Sequence, residues 1–192
     1  MIIAFDVDDV LVNTHPYLLD HLNNKFNTHF TRSDATMYYI QELWGERKEE
    51  ADKEINKYFE TEGEYLPAVQ FAKEVVNFFV SKGDRVIAVT AREEMEELTK
   101  RCLDREFEGN IDKVFFAGLS GQKRETKYQV LCRENVGFYV DDRSDFVLQC
   151  NGHPRKVLLY NQKWNEKDIM PDTVGRVSNW DEILKERIKL GF

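Results

Sequence analysis

The chain is short of several things that would direct its fold or function. Its three cysteines, Cys102, Cys132 and Cys150, are far apart, odd in number and without C-x-x-C spacing. That argues against a disulfide framework or a thiolate metal site and for free thiols in a reducing compartment. No stretch approaches the ~20 apolar residues of a membrane span, and the first residues hold no basic segment followed by an apolar one. A soluble, cytoplasmic protein with no membrane partner is therefore expected. Internal repeats, low-complexity tracts and Gly/Ser linkers are missing, so nothing marks a second independent domain. Basic charge is also in deficit: 35 Asp and Glu face 27 Lys and Arg, a formal charge of -8. A broad nucleic-acid footprint is not expected on such a surface. An anionic phosphate can still bind if a metal or a local basic group offsets the field. His15, His21, His29 and His153 have no paired ligand spacing and are not expected to hold a metal. His15 reads more readily as a surface histidine than as a pocket residue.

What is present is an alternation of apolar runs and amphipathic stretches. Met1-Ile2-Ile3-Ala4-Phe5 is unbroken and ends at Asp6, as suits a strand covered on both faces. Similar runs are Arg85–Thr90, Val114–Ala117, Gly137–Asp141 and Lys156–Tyr160, the last expected to close the sheet. Between them lie helical patterns. Ala72, Val75, Val76, Phe79 and Val80 share one face, with Gly83 placed as a C-cap. Glu93 to Phe107 and Arg124 to Glu134 are rich in helix formers. Trp180, Ile183, Leu184 and Ile188 form a last stripe, with Ser178 or Asn179 as its cap. The alternation predicts an α/β fold, a doubly wound, Rossmann-like parallel sheet of about five strands. A long stretch without a strand follows the first run and contains Phe26, Tyr38, Tyr39 and Trp44. So long a loop is unusual in a compact domain. The expected division is an α/β core, 1–14 and 66–192, with a small helical cap, 15–65, over the strand ends.

Chemistry is suggested at those ends, where ligands bind in such sheets. Asp6 and Asp8 leave the first strand two residues apart, so a loop there can aim both at one substrate. One carboxylate can attack phosphorus while the other moves the proton; the alternative is an exposed acidic loop. Asp141-Asp142-Arg143-Ser144-Asp145 follows another strand and offers the hard oxygen ligands that suit Mg²⁺, or else a capped turn. The Thr90 hydroxyl and the Ala91 N–H can bind phosphate at the start of the following helix, unless Thr90 merely caps it. Arg92 can touch substrate or lie on the surface. Lys123 or Lys127 can neutralise a transferring phosphoryl group, or either can be a solvated helix lysine.

Taken in order, Asp6-x-Asp8, Thr90, a lysine and paired acids resemble the haloacid dehalogenase superfamily over nearly the whole chain. The resemblance implies Asp6 as nucleophile and Asp8 as general acid/base. It implies Lys127 as the lysine, with Lys123 as fallback, and phosphate binding by Thr90, Ala91 and Lys127. It also implies Mg²⁺ held by Asp6, by the main-chain carbonyl of Asp8 and by Asp142, with Asp141 and Asp145 acting through water or hydrogen bonds. Asp9 replaces the glycine often found at its position. The segments Asp141–Asp145, Lys156–Asn165 and Val177–Ile183 further resemble the 5′(3′)-deoxyribonucleotidase family, although Trp180 reads as core and Asn165 as a turn residue. A small phosphorylated substrate, a nucleoside monophosphate first, is the expected partner. In the cap, the aromatic residues would either stack on a base or pack the cap's own core. Alternatives are a 3′-phosphatase of nucleic-acid ends and a phosphate-binding protein with little turnover.

Overall fold

The computed structural model describes residues 1–92, 95–118, 124–150 and 152–191. Six strands form one sheet: β1 Ile2–Phe5, β2 Arg85–Thr90, β3 Lys113–Phe116, β4 Phe138–Asp141, β5 Lys156–Tyr160 and β6 Val174–Val177. Every pairing is parallel, and the order is β3-β2-β1-β4-β5-β6. The doubly wound sheet is as expected; the expectation that Lys156–Tyr160 closes it is not. β6 lies outside it, and its sequence Val-Gly-Arg-Val hides it, because an edge strand buried on one side carries no continuous apolar run.

The described helices are α1 His15–Phe26, α2 Lys48–Glu62, α3 Ala72–Ser81, α4 Glu96–Phe107, α5 Lys127–Arg133, α6 Ser144–Leu148 and α7 Trp180–Ile188. Alternation along β1 feeds both sheet faces. Ile3 and Phe5 join a cluster built on α3, α4 and α7, with Val76, Phe79, Leu103, Trp180 and Ile183. Ala4 faces the opposite cluster, with Val130 and Leu131 of α5. Trp180 is fully buried, and its indole N–H donates to Val10 O at 3.0 Å, so this core residue also anchors the loop after β1. Asn179, rather than Ser178, caps α7 by accepting from the Glu182 N–H.

Leu18, Leu22, Phe26, Ile40, Trp44 and Ile55 form a third cluster among α1, α2 and the 3₁₀ stretch Ile40–Arg47. The chain leaves the core at Asn13 and returns beside it. Asn13 N–H donates to Pro67 O at 2.9 Å, Val69 N–H to Leu11 O at 2.8 Å, and Val12 bridges Ala68.

Candidate active site

β1 sits between β2 and β4, so the carboxyl ends of three adjacent strands deliver Asp6, Thr90 and Asp141-Asp142 to one place. Strand order reverses across β1, which opens a crevice there. The Asp6 N–H donates to Val140 O at 2.9 Å and carries the sheet pairing one residue past β1.

Asp6, Asp141 and Asp142 each offer an oxygen within 4.8 Å of the others, and all three are buried. Lys127, 2% exposed at the start of α5, donates to Asp6 Oδ1 at 2.7 Å and to Asp141 Oδ2 at 2.8 Å. The capping box of Thr126 and Gln129 fixes where this helix starts, and with it the ammonium. Three carboxylates thus face one ammonium. Burial pushes Asp6 up to about 7; Lys127 opposes this, while Asp141 and Asp8 add to it. Asp142 is raised well above the carboxylate range by burial and then by Asp6. For Lys127, burial disfavours the charge, but Asp141 and Asp6 outweigh it and push the pKa upward.

The two paired acids differ in what they have left to offer. Asp141 is used by the protein: Oδ2 also accepts from the Tyr139 hydroxyl, and Oδ1 accepts from the Arg143 N–H at 2.9 Å. Asp142 accepts at Oδ2 from the Trp164 indole N–H at 3.1 Å, while its buried Oδ1 has no partner among the described residues. A buried, unpartnered carboxylate oxygen is costly unless a cation meets it. The cluster therefore fits a divalent cation, with hard oxygen donors and surplus negative charge.

Asp8 is turned to other partners. Arg92 donates to it from Nε at 3.0 Å and from Nη2 at 2.7 Å, and Thr14 Oγ1 donates at 2.6 Å. Burial alone would raise Asp8, but Arg92 wins and holds it below its ordinary value. Arg92 is itself fixed by Thr99 Oγ1 at 2.9 Å and by the Phe59 ring of α2, 5.0 Å away. It is part of the site, not of the surface.

Asp9 occupies the left-handed region, φ 55°, which explains why glycine would also suit the position. Its carboxylate accepts from the N–H groups of Thr14 and His15, each at 3.1 Å, and so caps α1 while the Thr14 hydroxyl serves Asp8. His15 Nδ1 also binds Asp9, Nε2 lies 2.7 Å from Tyr38 O, and the residue is 9% exposed. The expectation of a surface histidine is thus wrong, because Asp9 compensates its burial. For the imidazole, burial disfavours the charge, but Asp9 outweighs it and lifts the pKa.

Other expected residues separate. Thr90 is 1% exposed and its Oγ1 accepts from the Arg92 N–H at 3.2 Å. α4 starts only at Glu96, so Thr90 ends β2 and Ala91 follows it directly, and neither stands at a helix start. Glu93 and Lys123 lie outside the described residues. Asp145 is exposed, pairs with Arg143 at 2.6 Å and takes no part in the acid cluster, since α6 turns it outward. Phe26 and Trp44 pack in the third hydrophobic cluster, while the Tyr38 ring lies 4.4 Å from the Arg143 guanidinium. Asn165 is more than a turn residue: 1% exposed, it donates to Asp142 O at 2.7 Å and to Tyr160 O at 2.8 Å.

Asp6, Asp8, Ala91, Arg92, Lys127 and Arg143 line a cavity of about 370 Å³, roofed by Tyr38, Ile55 and Phe59. A larger groove, about 1200 Å³, runs past Asp9, Phe71 and Arg176, but it reaches none of the clustered acids, so the smaller one is the candidate site. No helix among the described residues is long and apolar enough to cross a membrane.

No family model matches the chain. A nucleotidase of Clostridium acetobutylicum is 28% identical over 184 residues, 94% of this chain and 90% of that protein. Among solved structures, a predicted phosphatase of the same organism superimposes with a TM-score of 0.66 at 14% identity, covering 98% of both chains. A haloacid dehalogenase-like hydrolase of Streptococcus pneumoniae gives 0.63 at 14% identity, covering 97% of both.

Proposed function

From the haloacid dehalogenase fold that this chain carries, we propose that it is a Mg²⁺-dependent phosphomonoesterase acting on nucleoside monophosphates. Its support is the convergence of Asp6, Lys127 and Asp142 at the ends of adjacent strands, with one buried oxygen of Asp142 left open. The nucleotidase resemblance of the relative supports the substrate class, and the small roofed cavity suits a small phosphate ester better than a nucleic-acid end.

Asp6, at the cavity floor, attacks phosphorus through a carboxylate oxygen. The bond to the leaving oxygen breaks, and Asp8 gives that oxygen its proton. Asp8 then takes a proton from water, whose oxygen attacks the aspartyl-phosphate and breaks the bond to Asp6. Because Arg92 holds Asp8 ionised in the free protein, the phosphate dianion must draw part of the guanidinium away so that Asp8 can take a proton from solvent before it serves as the acid. Lys127 neutralises Asp6 and the phosphoryl oxygens, and Thr90 and Ala91 offer phosphate contacts. Asp6, the Asp8 carbonyl and Asp142 would hold Mg²⁺, with Asp141 orienting Lys127. When bound, Mg²⁺ supplies the positive charge that lets a dianion approach this many carboxylates. Residues 15–65 serve as the cap that shapes the leaving-group side.

Phosphate release from a panel of nucleoside monophosphates, with Mg²⁺ or EDTA, tests the proposal. Hydrolysis should need the cation and vanish in Asp6→Asn. Full activity of Asp6→Asn would overturn the mechanism, and a different preferred phosphate ester would overturn the substrate class.

A further inference from the structure

We infer that Trp164 is a positioning residue for the cation site, resting on the metal reading above. Its indole N–H, 3.1 Å from Asp142 Oδ2, occupies one oxygen of a fully buried carboxylate and leaves Oδ1 as the atom that this acid presents. A carboxylate free to rotate would present either oxygen, or both; a donor on one oxygen fixes the plane and the free lone pairs.

Packing does not account for the tryptophan. It belongs to none of the three hydrophobic clusters and is only partly buried. Its ring is instead held by His15, stacked at 4.1 Å with 28° between planes. His15 is held in turn by Asp9 and by the Tyr38 carbonyl. The neighbouring Asn165 fixes the Asp142 backbone from the other side, and Gln162 Nε2 donates to Asp9 O at 3.0 Å. The turn after β5 thus braces both acidic loops, and the stack passes that bracing to a single carboxylate.

Direct titration of Mg²⁺ and Mn²⁺ by calorimetry, with no substrate present, tests this in Trp164→Phe, which keeps an aromatic ring against His15 but removes the donor. Cation affinity is expected to fall about tenfold or more, as losses of donors behind metal ligands generally do. The melting temperature in EDTA is expected to fall modestly, because Asp142 Oδ2 loses its donor, and the rise in melting temperature that the cation adds is expected to shrink. Unchanged affinity overturns the assignment, and so does an equal drop in melting temperature with and without cation, which would mark Trp164 as a packing residue. If Trp164→Phe does not fold, His15→Leu removes the stack and keeps the donor. Weaker binding there supports the positioning role and unchanged binding overturns it. Wild-type protein that binds neither ion overturns the cation site itself, an outcome distinct from tight binding by wild type and Trp164→Phe alike.

Discussion

Arg92 grips Asp8 with two guanidinium nitrogens, although 84 residues separate them in the chain. The clamp fixes the orientation of the proposed acid/base and favours its ionised form, which suits removal of a proton from water. Removing it should therefore show in the pH profile as well as in the rate. Arg92→Ala is expected to lower kcat by about a hundredfold, the order of a lost acid/base contribution. The acidic limb of its pH–kcat profile should move to higher pH, because the cation that depresses Asp8 is gone. A limb that stays in place while kcat falls would tie Arg92 to substrate binding alone.

Among the described residues, Lys127 is the one buried cation that touches both Asp6 and Asp141. Lys127→Met keeps most of the volume and leaves both carboxylates without it. A buried pair broken in this way typically loses about 3–5 kcal/mol. Urea unfolding in EDTA should show a loss of that order. Saturating Mg²⁺ should restore part of it by binding the native state, without restoring turnover.

The metal-free protein should lose stability as pH rises from about 4 to about 7. Asp6 has its folded-state pKa raised from 3.8 to about 7, and Asp142 is shifted in the same direction. Between those values the native state binds more protons than the unfolded chain, so this contribution is full below the unfolded pKa and gone above the folded one. A bound cation holds the carboxylates ionised and should flatten the slope. Melting temperatures across this range, in EDTA and in Mg²⁺, check the sign. A metal-free curve that rises from pH 4 to pH 7 would contradict it.

Trp180 supports the loop after β1. Trp180→Phe keeps the ring against Phe5 but leaves the Val10 carbonyl without its donor. A loss of about 1–3 kcal/mol in chemical unfolding is expected for an orphaned buried acceptor. A variant as stable as wild type would mean that water replaces the indole.

The sheet was legible because β1, β2, β4 and β5 are buried on both faces and announce themselves as apolar runs. Asp6, Asp8 and Asp142 were legible because each follows such a run. β6 was not, since Gly175 and Arg176 interrupt it, and α6, at five residues, is too short for a periodic signal. Gln162 and Trp164 left no local trace. Their partners lie in other segments, and a polar side chain in a loop looks the same whether it meets water or a backbone carbonyl 153 residues away, as Gln162 meets Asp9 O. The Asp9 position carried a clue in its exchange for glycine, which points to a left-handed backbone.

The side-by-side exit at Asn13 and return at Pro67 has an evolutionary consequence. A segment whose two ends meet can be lengthened, trimmed or exchanged for another without moving a single sheet strand. Sequence can then drift quickly on one contiguous piece of chain, while the buried acids at the strand ends stay under the slow selection of a packed interior.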